Sequence, residues 1–290
     1  MKIFELIKNK LTLQMLPSQK ISLRVVVWIL LTGIVAIVLL YSTSFSLKSK
    51  SEDSQQNLPN QVSKKQSVEK LAKSITVRIF YQKDEINKGG SGVLIWKKKE
   101  QNQYKYIVIT NHHVVSDRDL NYQLETPDGK IHETKVISEN VTDLVADDLA
   151  LVEFNSENNY NIINPKVNNN IKKGEIVFAS GFPFKDDLIQ SKELNFTTGN
   201  LTMFLEKPLI GGYQIGYTNT LHNGMSGGPL LNEKGELIGI NGMGKYPVIG
   251  DPYVYKDGST VSEKQWEEMS NLSWAIPVKY VLDLYYKTFP

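Results

Sequence analysis

The sequence predicts an all-β fold built from two packed β units. Three observations predict it. Short runs rich in β-branched and aromatic residues recur along the chain, with period-two alternation where they are clearest. Glycine-containing turns separate them at regular spacing, the pattern of a β-sandwich or barrel. An Asn-rich connector, residues 155–170, divides the runs into two similar sets.

Composition narrows the function. The chain has 290 residues, room for one large domain or two small ones plus tails. A net charge of +2 provides no field for nucleic acid or a strongly acidic partner. With no cysteine, disulfides, thiolate chemistry and Cys-based zinc sites are excluded. No glycine-rich phosphate loop or metal-ligand cluster is present, so no cofactor and no metal are expected.

The chain opens with Lys2, Lys8, Lys10, Lys20 and Arg24 against the single acid Glu5. An uncharged apolar run follows at 25–41, with Trp28, Tyr41 and Phe45 in or near its ends. This is the short end of what spans a bilayer, and the basic flank stays inside. Residues 1–24 are thus expected as a cytoplasmic tail and 25–45 as an uncleaved signal anchor. The rest would be extracytoplasmic, in the periplasm or at the cell surface. The alternative is secretion after signal cleavage, for which Ser42-Thr43-Ser44 is the nearest small-residue site. Residues 46–68 are polar and poor in aromatics, a flexible linker, with a short helix beginning near Ser67. Residues 69–290 are the folded part.

In the first set, strands are expected at 75–81, 93–96, 104–110 and 148–154, with weaker ones at 121–125 and 130–137. Gly89-Gly90-Ser91-Gly92 reads as a break, 97–103 as a charged hairpin tip and Pro127-Asp128-Gly129 as a turn. The second set has strands at 175–180, 196–204, 213–218, 229–231 and 237–241. The two units span about 75–155 and 171–275. A C-terminal helix is expected at 277–288, with Pro277 in its first turn and Val278, Val281, Leu282 and Tyr285 on one apolar stripe.

Chemistry concentrates at Asn223-Gly224-Met225-Ser226-Gly227-Gly228-Pro229. Glycine at this density bends the backbone where side chains would not fit. A hydroxyl beside backbone N–H groups provides a nucleophile and an oxyanion hole in one turn. A plain glycine turn between strands is the other reading. A serine needs a base, and the base an orienting group. The histidines are His112, His113, His132 and His222; His113 stands at a strand end, and adjacent His112 would face the other way. The carboxylate candidates are Asp143, Asp147 and Asp148, the last abutting the apolar run Leu149-Ala150-Leu151-Val152.

Thr110-Asn111-His112-His113-Val114-Val115, Asp148-Leu149-Ala150-Leu151-Val152 and Gly224-Met225-Ser226-Gly227-Gly228-Pro229-Leu230 resemble the three motifs of the chymotrypsin-fold (trypsin-like) serine proteases, in that family's order. Three further stretches resemble its Deg/HtrA-like bacterial branch: Gly89-Gly90-Ser91-Gly92-Val93-Leu94, Val177-Phe178-Ala179-Ser180-Gly181-Phe182-Pro183 and Ser273-Trp274-Ala275-Ile276-Pro277. The resemblance implies two packed six-stranded β-barrels with the site between them. It implies His113 as base, Asp148 as its orienter, Ser226 as nucleophile, and the Gly224 and Ser226 N–H groups as oxyanion hole. The substrate would be a protein or peptide. A homo-oligomer, a trimer, is in keeping with Deg relatives. The alternative is a catalytically silent protein-binding or chaperone-like domain on the same fold.

The departures from the family carry expectations of their own. Met225 stands where digestive relatives carry an Asp that pairs with a freed N-terminal ammonium, so no proteolytic activation is expected. No room for a PDZ module is expected after the last helix. By resemblance Thr220, Leu221, His222, Ile240, Asn241 and Gly242 wall the substrate pocket. Thr220 replaces the Asp that selects Lys or Arg, and Asn241 the His of glutamate-specific relatives, which leaves a small or apolar P1 residue. Residues 245–269 are longer than this loop usually is, and would cover the pocket or pack on their own aromatics.

Overall fold

The computed structural model describes residues 61–83, 86–139, 147–168, 170–185, 189–247 and 251–290. The expected anchor at 25–45 lies outside them; among the described residues no helix is long and apolar enough to cross a membrane.

Helix α1 covers 61–75. It starts earlier than expected, so 61–68 are helical rather than linker. Val68, Ala72 and Ile75 recur at helical spacing and are buried, which fastens the helix to the core.

The first β unit is an antiparallel sheet of seven strands in the order β5-β4-β1-β2-β3-β7-β6. They are β1 (Thr76–Lys83), β2 (Ile86–Glu100), β3 (Gln103–Thr110), β4 (Gln123–Glu125), β5 (Ile131–Glu133), β6 (Lys135–Glu139) and β7 (Ala150–Ser156). The count corrects the six strands expected. Residues 131–139 form one run interrupted at Thr134, and its halves serve the two outer edges of the sheet. Chain continuity, rather than a further ladder, thus joins those edges.

The glycines at 89–92 are not a break. They lie inside β2, with Gly89 opposite Phe80 and Gly92 opposite Val77. A side chain at Gly89 would run into the Ile79 carbonyl, so glycine here permits close approach rather than a turn.

The second unit is a closed six-stranded barrel, ordered β10-β13-β12-β11-β8-β9. Its strands are β8 (Ile176–Gly181), β9 (Asn195–Phe204), β10 (Ile215–Tyr217), β11 (Pro229–Asn232), β12 (Leu237–Met243) and β13 (Ser273–Pro277). Two helices complete the fold, α2 (Glu263–Ser270) and α3 (Val278–Thr288). Pro277 caps α3 from the end of β13 instead of sitting in its first turn, and the residues it buries are Val278, Val281 and Leu284.

Period-two alternation explains how the units join. In β3, Tyr106 and Val108 point into the first unit's own core, while Ile107 and Ile109 point into a shared one. β7 divides the same way: Ala150, Val152 and Phe154 face inward, and Leu151 outward with Leu149. The shared core adds Phe178, Leu231, Ile240, Trp274 and Ile276 from the barrel. At about 1.5–3 kcal/mol for each fully buried aliphatic or aromatic side chain, this layer fixes one unit on the other.

Candidate active site

β3 and β7 pair with Thr110 opposite Ala150, so the chain leaving β3 meets the chain entering β7. His113 sits in the 3-10 turn His112–Val114 after β3, and Asp148 two residues before β7. The Asp148 carboxylate accepts twice from His113: from the backbone N–H at Oδ1, 2.9 Å, and from ring Nδ1 at Oδ2, 2.6 Å. The Asn111 amide fixes the backbone between them by donating to the Asp148 carbonyl, 2.7 Å. A proton on Nδ1 leaves the lone pair on Nε2, the arrangement a general base requires.

Burial opposes the charged form of His113, but the Asp148 charge and hydrogen bond together hold its pKa above the ordinary histidine value. Burial likewise works against the Asp148 carboxylate. The charge and ring hydrogen bond of His113, then the Tyr213 hydroxyl and the His113 backbone N–H, outweigh it and keep that pKa low. The His113 side chain is 50% exposed and that of Asp148 16%, so one edge of the imidazole reaches solvent while the carboxylate is largely covered.

Ser226 lies in the turn leading to β11. Two glycines make the turn possible. Gly224 has φ +93°, and a Cβ there would fall 2.5 Å from the Phe182 carbonyl oxygen. Gly227 has φ +86°, and its Cβ would overlap the Ser91 carbonyl. The turn is tied to the first unit by Ser91, whose N–H donates to the Ser226 carbonyl, 2.7 Å, and whose hydroxyl donates to the Gly224 carbonyl, 2.8 Å. Gly90 touches both motifs, since a Cβ on it would lie 2.5 Å from Val114 and 3.0 Å from the Ser226 carbonyl oxygen. The histidine turn and the serine turn therefore share one corner.

Within that corner the N–H groups of Met225, Gly227 and Gly228 are taken by backbone carbonyls. No described residue accepts from Gly224 N–H or Ser226 N–H. The Ser226 hydroxyl donates to the Gly242 carbonyl, 3.1 Å, rather than to His113.

Of the other candidates, Asp147 accepts from Lys256, 2.7 Å, and Asp143 lies outside the described residues. His112 is not in the pair with Asp148. Sequence reasoning missed Tyr213, whose hydroxyl donates to Asp148 Oδ2 at 2.5 Å. Its only local signal is the preceding Gly211-Gly212 turn.

The expected pocket residues separate into two groups. Thr220 and His222 are exposed, and Leu221 and Gly242 half-buried. Ile240 and Asn241 are fully buried. Ile240 packs in the shared core. The Asn241 amide donates to the Ser180 and Pro229 carbonyls and accepts from the Tyr217 hydroxyl. Residues 251–269 pack partly on their own aromatics and partly on the barrel: Tyr253 is buried against Trp266 of the same segment and Trp274 of β13. Their near end reaches the site from behind, through Lys256 on Asp147 and Ile210 N–H on the Val254 carbonyl.

Comparison with known proteins points the same way. Residues 90–240 match the model of the trypsin-like peptidase domain. A probable serine protease do-like protein of Buchnera aphidicola subsp. Acyrthosiphon pisum is 29% identical over 163 residues, 55% of this chain and 30% of that protein. The serine protease Do-like HtrA of Bacillus subtilis is 30% identical over 158 residues, 53% of this chain and 33% of that protein. The chain thus spans about a third of the length of these curated relatives. A serine endoprotease from Yersinia pestis shares the fold, with a TM-score of 0.55 at 22% identity over 77% of this chain and 66% of that one.

Proposed function

The chain belongs to the trypsin-like peptidase domain family, and on that premise we propose that it is a serine endopeptidase acting through Ser226, His113 and Asp148. The observation that carries the reading is the doubly bonded His113–Asp148 pair, set at one corner with a serine from the other β unit. In the reaction the Ser226 hydroxyl turns from the Gly242 carbonyl toward His113 Nε2 and gives up its proton as it attacks the scissile carbonyl. Asp148 stabilises the imidazolium that forms. The N–H groups of Gly224 and Ser226, which no described residue engages, receive the oxyanion. His113 then protonates the leaving amine, and water hydrolyses the acyl-enzyme.

Substrates are protein or peptide, cut after a small or apolar residue at a pocket edged by Thr220, Leu221, His222 and Gly242. Activity needs no N-terminal trimming. Met225 is fully buried, with its sulfur taking contacts from His222 N–H and the Asn195 amide, so no carboxylate stands ready for a freed ammonium. Residues 25–45 anchor the protein and leave the peptidase outside the cytoplasm, a reading supported by the uncharged run and its basic flank.

The bond from Ser226 to Gly242 favours a second reading, a silent binding domain. Incubating the full chain with a denatured protein separates the two. The peptidase reading expects new peptide ends that disappear in Ser226→Ala; an intact substrate with the folded wild type supports the silent domain.

A further inference from the structure

The Tyr213 hydroxyl lies where the two β units meet. Tyr213 comes just before β10, and Asp148 just before β7. The phenol donates to Asp148 Oδ2, the same oxygen that receives His113 Nδ1. Its other flank fills the space beside Gly242, where a Cβ would fall 2.6 Å from the ring's Cε1 and 2.8 Å from Cζ. Gly242 is the residue whose carbonyl holds the Ser226 hydroxyl. One side chain thus touches both the carboxylate behind the base and the backbone beside the nucleophile.

The turn carrying Tyr213 is shaped to that contact. Gly211 and Gly212 adopt φ +81° and +85°, which reverses the chain so that Leu209 N–H donates to the Tyr213 carbonyl. The same turn offers the Gly211 carbonyl to Asp148 N–H, 2.8 Å. Asp148 is therefore held from the second unit by backbone and by side chain. Tyr213 is only 8% exposed, so little water competes for the bond. The titratable groups around this carboxylate are His113, Tyr213 and, one residue away, Asp147 with Lys256.

Resting on the triad reading above, we propose that Tyr213 is a positioning residue that sets the His113–Asp148 pair in register with Ser226. It acts through Asp148 and does not touch substrate.

The test is Tyr213→Phe in the full chain, which keeps the ring and removes one hydroxyl. Peptide hydrolysis and fluorophosphonate labelling of Ser226 are followed against pH. The donated hydrogen bond draws Asp148 charge away from His113; without it more of that charge acts on the imidazolium. The expected result is a kcat lower by about tenfold, the scale of one hydrogen bond to a charged group. KM changes little, and the acid limb of kcat/KM moves to higher pH. Wild-type kcat, or a loss of rate with an unmoved acid limb, overturns the proposal while the triad reading stands. A folded wild-type chain that neither labels nor cleaves sinks both.

Discussion

Asp148 grips His113 at two points, one on the backbone N–H at 2.9 Å and one on ring Nδ1 at 2.6 Å. The two oxygens divide the work. Oδ1 fixes where the histidine turn sits, and Oδ2 fixes the tautomer. Asp148→Asn separates these tasks. Its amide oxygen still accepts from the backbone, but its NH₂ faces Nδ1 and moves the ring proton to Nε2. The expected outcome is a near-native melting curve with kcat lower by about four orders of magnitude. Steady-state kinetics beside circular dichroism checks both halves.

The pH dependence follows from the same pair. His113 has a pKa raised in the folded chain, chiefly by Asp148 against the opposing effect of burial. A raised pKa stabilises the fold below the unfolded histidine value, and that contribution is lost as pH rises through the folded value. In the proposed mechanism catalysis runs the other way, because His113 must be neutral to accept the Ser226 proton. The acid limb of kcat/KM is therefore expected above the ordinary histidine value of about 6.5. In Asp148→Asn the residual activity should titrate lower. A pH–rate profile for both proteins tests the order.

Asn241 is expected to matter for stability rather than specificity. Its side chain joins the Ser180 and Pro229 carbonyls to the Tyr217 hydroxyl, and its backbone carbonyl takes Gly227 N–H. Asn241→Ala leaves buried polar groups without partners and should cost about 3 kcal/mol in urea unfolding. Cleavage-site preference across a peptide library should stay as in the wild type. A changed preference would return Asn241 to the pocket.

Arg78 is 2% exposed, lies 4.0 Å over the Phe80 ring and pairs with Glu125 between β1 and β4. Glu125→Ala strands a buried guanidinium and should cost about 3–5 kcal/mol. Replacing both residues with apolar ones of similar size should recover most of that loss. Denaturant midpoints of the single and double variants measure it.

Much of the fold was legible because strand periodicity and core membership are one signal. β3 and β7 alternate between two cores, and their sequences show it as unbroken apolar runs with chemistry at the ends. The strand ends narrowed the candidates to His112 and His113 and to Asp143, Asp147 and Asp148; His113 and Asp148 were singled out by the family resemblance. Other features depend on pairing that local sequence does not encode. The glycines of β2 read as a break because close strand approach and a turn call for the same residue. Ile240 and Asn241 are both buried because β12 is paired on both sides, with β11 and β13. Tyr213 reaches Asp148 only once the units have packed. Helix α2 is different: its Ser262–Gln265 capping box is a local signal present in the sequence itself.

In the proposed mechanism Ser226 is a nucleophile activated by His113. The most direct measurement is mass spectrometry of the full chain after a fluorophosphonate probe, with Ser226→Ala and His113→Ala beside it. One adduct is expected on Ser226 of the wild type, none in Ser226→Ala, and a rate lower by about three orders of magnitude or more in His113→Ala. A folded wild type that takes no adduct, or one that His113→Ala labels as fast as the wild type, would contradict it.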